Sequence, residues 1–167
     1  MSEAGDIERF EPRPSPSHFD AITGDVVFAI AGHLLHNYLL PRDCPRVTYY
    51  ANSATTLQDL DRFLSGSDAT HVVAIETEWF HRVNTTVLYA YEFPAANFTL
   101  LDETAGYYIS YEPVIPAGVR RIDNIFVELL SRAHLELRIL PELWSLGNAV
   151  IASTLSFSLI RMRNAKK

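Results

Sequence analysis

The sequence predicts a single-domain α+β fold in which two small mixed or antiparallel sheets pack with short helices. The chain of 167 residues has the usual length of one domain and shows neither an internal repeat nor a visible domain boundary. Its hydrophobicity pattern predicts about seven or eight short strands and about four short helices. Because these elements interleave without a regular β–α alternation, an α+β domain is favoured over a doubly wound parallel sheet.

The chain begins with a proline-rich segment. Residues 1–23 are expected to be extended or turning on the surface, because Pro12, Pro14 and Pro16 each lack an N–H and fix φ. The apolar run "VVFAI" then predicts a buried strand at 26–30. The elements predicted next are a short helix at 32–40 that ends at Pro41, a strand at 46–51, and an amphipathic helix begun by a capping box of Thr55 and Gln58.

The rest of the chain continues with short strands and helices. Further strands are predicted at 70–76, 85–93, 135–140 and 153–162. The last of these segments also fits the spacing of a helix. Asp123 is expected to cap one helix, and Pro141 suits the first position of another.

Composition and charge exclude several classes of partner. Hydrophobic residues make up 48% of the chain and charged residues 20%, as in an ordinary globular protein. The net charge of −6 at pH 7 argues against nucleic acid and against an anionic membrane surface as partners. The basic residues in the last seven positions are interpreted as a solubilising tail or as a small anion contact.

The cysteine content and the chain ends predict a cytoplasmic protein. Cys44 is the single cysteine, so an internal disulfide is impossible and a reducing compartment is expected. No N-terminal segment resembles a signal peptide, and no stretch reaches the ~18 apolar residues that span a membrane. Although arginines flank Cys44, no base accompanies it, so we interpret it as a small buried or turn residue.

Common catalytic and cofactor motifs are absent from the sequence. It contains no glycine-rich dinucleotide or P-loop motif, and none of HExxH, CxxC or GxSxG. His33 and His36 are three residues apart on a predicted helix, but no further ligand lies at a suitable spacing. We therefore predict no metal site.

One candidate binding segment is "LLPRDCPRVTYY" at 39–50. Arg42 and Arg46 have the fork geometry that binds a phosphate bidentately. Tyr49 and Tyr50 point to opposite faces of a strand, so only one of them can line a given cleft. The alternative is that Asp43 pairs with one of the arginines and holds a turn framed by prolines.

A second candidate segment is "YYISYEPVIPAG" at 107–118. In a strand, Tyr108, Ser110 and Glu112 share one polar face that is able to form hydrogen bonds. There Glu112 suits the orientation of a ribose hydroxyl or the stabilisation of developing positive charge. The alternative is that Glu112 faces solvent on an edge strand that ends at Pro113.

Several longer motifs resemble a bacterial domain family of unknown function. They are "FEPRPSPS", "GDVVFAI", "NYLLPRDCPRVTYYA", "AGYYIS", "LELRILPELW" and "FSLIRMRNA", and together they extend over nearly the whole chain. The resemblance implies that members of that family start slightly earlier, with a short strand that ends in His-Val-Ser-Glu. This chain instead begins Met-Ser-Glu. We therefore expect either a true truncation or a misplaced start.

The same features are distantly similar to the ADP-ribosyltransferase-like fold. That similarity implies that NAD is the ligand and that Tyr49 or Tyr50 contacts it from a middle strand. It also implies that Glu112 is the glutamate, late in the chain, that drives ADP-ribosyl transfer. In that fold a histidine or arginine on the first strand also holds NAD, and this residue has no counterpart in the present sequence.

Two functional hypotheses follow. In the first, the domain binds NAD or a related nucleotide, with Glu112 at the ribosyl centre and Arg42 or Arg46 at the pyrophosphate. Tyr49 or Tyr50 stacks on the nicotinamide, while Tyr108 and Ser110 line the cleft. In the second, the domain is a non-catalytic module that binds a small molecule or a protein, and its tyrosines serve packing and interfaces.

Overall fold

The computed structural model describes residues 1–16, 18–132 and 134–167. Within these ranges, nine strands form three small sheets, accompanied by four α-helices and four short 3-10 helices. The predicted α+β fold class is confirmed, with three sheets in place of the two that the sequence suggests.

The secondary-structure elements are named in chain order. The strands are β1 (Val27–Ile30), β2 (Arg46–Tyr50), β3 (His71–Glu76), β4 (Leu88–Glu92), β5 (Thr99–Asp102), β6 (Tyr107–Ser110), β7 (Gly118–Ile122), β8 (Leu135–Leu140) and β9 (Ser156–Ile160). The α-helices are α1 (Leu57–Leu64), α2 (Phe80–Thr85), α3 (Ile125–Leu130) and α4 (Trp144–Ile151). The 3-10 helices span Gly32–Tyr38, Thr77–Trp79, Ala95–Asn97 and Met162–Asn164.

The largest sheet has the strand order β8-β3-β2-β9. Strand β8 runs parallel to β3, and the other neighbours are antiparallel. Residues 72–76 of β3 are all buried, as expected for an apolar strand that is covered on both faces. Val73 and Ile75 pack into one hydrophobic cluster, whereas Val72 and Ala74 pack into another on the opposite face. This strand therefore separates the two cores.

Two smaller antiparallel sheets have the orders β1-β6-β5 and β4-β7. The N-terminal segment connects them through isolated bridges between Ser2 and Tyr89, Phe10 and Val114, and Arg13 and Val26. The ring of Phe10 also packs edge-on against the rings of Tyr91 and Phe93, with centroids 5.0 Å apart in each pair. This segment thus holds the small sheets together by backbone pairing and aromatic contacts.

Two predicted helix caps shift in the structure. Helix α1 is capped by Thr56, whose hydroxyl accepts the Asp59 N–H, and not by Thr55. Helix α3 is capped by Asn124, while Asp123 forms an ion pair with Arg121. In both cases two residues that are able to cap stand side by side, and the sequence pattern alone does not distinguish them.

Two other predicted segments begin later than expected. Strand β4 begins at Leu88 because the chain from Phe80 to Thr85 continues as α2. Helix α4 begins at Trp144, three residues after Pro141. Among the described residues, no helix is long and apolar enough to cross a membrane.

Candidate functional site

Arg46 lies at the start of β2 and is 2% exposed. Its Nε donates to the carbonyl oxygen of Asn37 at 3.0 Å, and its Nη1 donates to those of Cys44 at 2.8 Å and Pro41 at 3.3 Å. The guanidinium carbon lies 5.4 Å from the centroid of the Tyr38 ring. Arg46 therefore supports the turn between the first 3-10 helix and β2, and these donors do not face solvent.

Arg42, in the same turn, is exposed. Its backbone N–H donates to Oε1 of Glu3 at 3.0 Å, and its carbonyl oxygen accepts from Nε of Arg161 at 3.3 Å. Asn164 donates to the carbonyl oxygen of Asp43 at 2.7 Å. The turn is thus held by Arg46 and by both chain ends, and not by the Asp–Arg pair that the sequence suggested as an alternative.

The two tyrosines of β2 point in opposite directions, as expected for neighbouring strand residues. Tyr49 is 1% exposed, and its hydroxyl lies 2.6 Å from Nη1 of Arg138. Tyr50 is half-buried, and its hydroxyl donates to the carbonyl oxygen of Thr104 at 2.7 Å. The turn that contains Thr104 precedes β6, so Tyr50 joins the largest sheet to the sheet of β1, β5 and β6.

Strand β6 ends at Ser110, and Glu112 is an exposed residue beyond that end. The Ser110 hydroxyl donates to the carbonyl oxygen of Glu112 at 3.0 Å and accepts the Glu112 N–H at 3.2 Å. This local turn bends the chain, so Glu112 does not continue the strand face of Tyr108 and Ser110. The shared face predicted for these three residues is therefore limited to Tyr108 and Ser110.

The predicted site residues lie at two ends of β6. Tyr50 approaches the turn before the strand, and Tyr38, beneath Arg46, reaches the first residue, Tyr107, through a hydroxyl pair at 3.0 Å. Glu112 follows Ser110, the last residue of the strand. Ser110 lies on the order of 10 Å from Tyr107 along the strand. The structure thus brings Arg46 and Tyr50 near one end, and Glu112 lies near the other.

A different group of side chains forms an open pocket between the first 3-10 helix, the start of β3 and the start of β8. The imidazole of His71 stacks on the ring of Tyr50, its partner across the antiparallel pair, with centroids 4.8 Å apart and planes at 28°. The imidazole of His36 packs edge-on against His71, also at 4.8 Å. The pocket has a volume of about 310 Å³ and is lined by His33, His36, Thr70, His71, Arg132 and Leu135. We call it the His71 pocket.

The backbone around Thr70 holds His71 in place. The N–H groups of Thr70 and His71 both donate to the carbonyl oxygen of His134, at 2.8 and 3.2 Å. His134 adopts φ of 62°, a conformation that asparagine, aspartate and histidine tolerate better than most residues. The Thr70 hydroxyl lies 3.0 Å from Nδ1 of His71, and this contact does not involve Nε2 of the same ring.

Arg132 brings a permanent positive charge to the His71 pocket. Its Nη2 lies 3.8 Å from Oε1 of Glu128, and its Nη1 lies 3.5 Å from the carbonyl oxygen of Gly32. Glu128 is already bound by both terminal nitrogens of Arg120, at 3.0 and 2.8 Å, and these bonds lower its pKa. The Nε of Arg132 is buried and has no hydrogen-bond partner among the described residues.

Burial and nearby positive charge keep the inner histidines neutral. The pKa of His36 is lowered to about 4, by burial first and then by charge on His71, Arg132 and His33. The pKa of His71 is also lowered, by burial first and by His33 second. Near pH 7 both imidazoles are therefore neutral and each offers one donor and one acceptor nitrogen.

The sequence analysis missed this pocket as a site. It considered His33 and His36 only as a metal pair, and it gave no role to His71 or Arg132. In the part of the chain that the structure describes, no group of three or more histidine, cysteine, aspartate or glutamate residues is arranged to hold a metal ion. Cys44 is fully buried, and burial raises the pKa of its thiol to about 12, so it remains protonated.

Comparison with known proteins identifies a family for the chain but no activity. A family model with the description "Family of unknown function (DUF6886)" matches residues 1–165. No curated protein and no solved structure matches the chain.

Proposed function

The chain belongs to a family of unknown function, DUF6886, and on the geometry of the His71 pocket we propose that it is a module that binds a small anionic ligand. The single observation that carries this proposal is the lining of the pocket, where the guanidinium of Arg132 stands with three histidines and a threonine hydroxyl. Positively charged and hydrogen-bond donor groups that converge on one pocket bind anionic oxygens through charge-assisted hydrogen bonds.

The other side chains of the pocket favour the same ligand charge. Three imidazoles, one guanidinium and one hydroxyl line it together with Leu135, and no carboxylate of the described residues is among them, although Glu128 lies 3.8 Å from Arg132. Such a donor-rich lining contrasts with the net charge of −6 of the whole chain. Anions are therefore attracted to this site by local charge, while the overall charge repels polyanions such as nucleic acid.

A bound anion also changes the protonation of the inner histidines. His36 and His71 are neutral in the free protein because their neighbours are positive or apolar. A negative ligand beside them favours their charged forms. A bound anion is therefore expected to raise the pKa of both imidazoles above that in the free protein.

The NAD and nucleotide hypothesis belongs to the same class of ligand, because a nucleotide carries phosphate. Glu112 lies near the far end of β6, so ADP-ribosyl transfer through this residue is a separate hypothesis that is supported by the resemblance alone. It is tested by NAD turnover: loss of turnover in Glu112→Gln with retained NAD binding supports it, and retained turnover removes Glu112 from the mechanism.

Ligand-dependent thermal unfolding tests the binding proposal. Millimolar inorganic phosphate, NAD and ADP-ribose are each compared with sodium chloride at equal ionic strength. A ligand at a hundredfold excess over its Kd stabilises the native state by about 2.7 kcal/mol, which raises Tm measurably. Phosphate is expected to raise Tm, and the absence of a shift with every anion overturns the proposal.

Two arginine variants locate the site. Arg132→Gln is expected to abolish the shift with phosphate. Arg121→Gln is the matched control, because Arg121 is exposed, is paired with Asp123, and carries the same charge. An equal shift in both variants shows that the anion binds elsewhere. Circular dichroism of Arg132→Gln confirms that the loss is not one of folding.

A further inference from the structure

The outer edge of β8 is unpaired within the part of the chain that the structure describes. This strand stands first in the order β8-β3-β2-β9, and it pairs with β3 alone. None of its six residues is buried, whereas residues 72–76 of β3 all are. An edge strand of this kind presents backbone N–H and C=O groups that are able to pair with a strand of another molecule.

The hydrogen bonds around β8 identify which of its backbone groups face outward. The carbonyl oxygen of His134, just before the strand, accepts from the N–H groups of Thr70 and His71, and that of Leu140 accepts from the hydroxyl of Thr77. The backbone groups of the even-numbered residues therefore point toward β3. Because successive residues of a strand alternate in direction, those of the odd-numbered residues point toward the open edge. The outward-facing residues are Leu135, Leu137 and Ile139.

The charges of β8 select one register for antiparallel pairing with a second copy of the same strand. Outward-facing residues must oppose one another, so the registers that overlap most of the strand place residue 136, 137 or 138 on the two-fold axis. An axis at Glu136 or at Arg138 puts two like charges directly opposite each other, which is destabilising. With Leu137 on the axis, Glu136 of each copy instead faces Arg138 of the other. This strand is therefore complementary to itself.

The side chains on both faces of the edge suit this register. On one face, Leu135 and Leu137 pack into the hydrophobic core while Ile139 remains 39% exposed, and the register places Ile139 opposite Leu135 of the second copy. On the other face, Arg138 donates from Nε to Oε1 of Glu136 at 2.6 Å. Its Nη1 and Nη2 each have one bond, so two of its five N–H groups remain for Glu136 of the second copy.

We propose that β8 is a homodimer interface, in which two copies of the chain join their four-stranded sheets into one continuous sheet across a two-fold axis at Leu137. The partner is a second copy because the order Glu136, Leu137, Arg138 matches its own reverse in charge. The interface is distinct from the anion-binding proposal and does not require a ligand in the His71 pocket.

Sedimentation of the unaltered chain tests whether the dimer forms. At chain concentrations up to about 0.5 mM, a reversible dimer with a Kd below about 0.1 mM is expected. A monomer over the whole range overturns the proposal.

Hydrogen exchange measured by NMR tests whether the dimer forms through β8. The amides of Leu135, Leu137 and Ile139 are expected to exchange at least about tenfold more slowly in concentrated than in dilute samples, because pairing protects them. The amides of Glu136 and Arg138 are expected to be protected at both concentrations, because they face β3. A dimer in which the three outward-facing amides keep the exchange rates of the monomer uses another surface and contradicts the proposal.

Two exposed isoleucines provide matched variants. Ile139→Lys is expected to abolish the dimer, because a lysine on an edge strand opposes pairing and here would face Leu135 of the second copy. Ile115→Lys is the control, because Ile115 is 66% exposed, lies outside β8 and undergoes the same change. Circular dichroism confirms that both variants are folded. A dimer that survives in Ile139→Lys, or that is lost in Ile115→Lys, contradicts the proposal.

The register is tested by Glu136→Gln. This change removes both charge pairs between the copies, and the Kd of the dimer is expected to increase about tenfold. The bonds of Arg138 to the Tyr49 hydroxyl and to the carbonyl oxygen of Phe63 remain available. An unchanged or lower Kd rules out the register with Leu137 on the axis.

Discussion

The buried Nε of Arg46 donates to the backbone carbonyl oxygen of Asn37 at 3.0 Å and thereby ties the start of β2 to the first 3-10 helix. Two further carbonyl oxygens of the same turn, those of Pro41 and Cys44, accept from its Nη1. Burial lowers the pKa of Arg46, whereas hydrogen bonds to three carbonyl oxygens favour its charged form. The arginine thus adds side-chain hydrogen bonds to a turn in which the Cys44 N–H donates to the carbonyl oxygen of Pro41 at 3.0 Å.

Replacing Arg46 with lysine is expected to destabilise the fold by about 3 kcal/mol. Lysine retains the charge but has no planar fork, so it cannot reach all three carbonyl oxygens, and buried acceptors remain unpaired. Urea unfolding measures the change. Arg42→Lys is the control, because Arg42 is exposed in the same turn, and a change within about 0.5 kcal/mol is expected there. Equal stability of the two variants would contradict the assigned role of Arg46.

The sequence could not distinguish these two arginines. Both stand two residues from Cys44 beside a proline, and both carry the same group. Only the folded turn creates the carbonyl oxygens that Arg46 satisfies, so its burial is a tertiary effect. The choice between a phosphate ligand and a turn support could therefore not be made from spacing.

The elements with continuous apolar runs were the easiest to predict. Strands β2, β3 and β8 lie within about one residue of their predicted ranges because β-branched and leucine-rich runs fit a buried sheet. Strand β7 was missed, because Val119, Arg120 and Arg121 are all exposed and only Ile122 is buried. Such a strand forms through pairing with β4 and has little pattern of its own.

The His71 pocket lay beyond sequence analysis for a similar reason. Its main residues, His36, His71 and Arg132, are dozens of positions apart in the chain, and the parallel pairing of β3 with β8 brings the last two together. The turn at Ser110 likewise removed Glu112 from the predicted strand face. Both features depend on tertiary contacts or on a side-chain turn that periodicity does not detect.

Tyr49→Phe is expected to cost about 1–2 kcal/mol of stability. The variant removes the hydroxyl 2.6 Å from Nη1 of Arg138, while Nη2 of Arg138 keeps its bond to the carbonyl oxygen of Phe63 at 2.8 Å. Burial raises the pKa of Tyr49 to about 12, so the hydroxyl is protonated at neutral pH. Tyr50→Phe is the matched control from the same strand, with an expected cost of about 0.5 kcal/mol. A smaller effect at Tyr49 than at Tyr50 would refute the assignment.

Gly106→Ala is expected to destabilise the chain by about 2–3 kcal/mol. Gly106 has φ of +67°, and an added Cβ would lie 2.8 Å from Cδ1 of Leu34 and 3.2 Å from Cβ of Ala31. Gly66→Ala is the control, because Gly66 has a similar φ of +79° but nothing within 4 Å of an added Cβ. The control isolates backbone strain, about 1 kcal/mol. Equal losses in thermal unfolding would show that the contact with Leu34 relaxes freely.

His36 is expected to make stability fall between pH 6.5 and pH 4. Its pKa is about 4 in the folded chain and 6.5 in the unfolded one, so only the unfolded state gains the proton in this interval. This loss in the free energy of unfolding is negligible above pH 6.5 and reaches about 2 kcal/mol near pH 4.5. His71, Arg132 and His33 are the charged or titratable neighbours that, together with burial, oppose protonation.

His36→Gln tests this pH dependence, because glutamine does not titrate. Urea unfolding at a series of pH values is expected to give a flatter stability curve for this variant than for the unaltered chain, after the two are aligned at pH 7.5. His18→Gln serves as the control, since His18 is exposed and bonds only to Asp20 at 2.9 Å, and its curve is expected to follow the unaltered chain. If His36→Gln keeps the full acid slope, other groups cause the loss of stability and the imidazole of His36 is protonated without cost inside the His71 pocket.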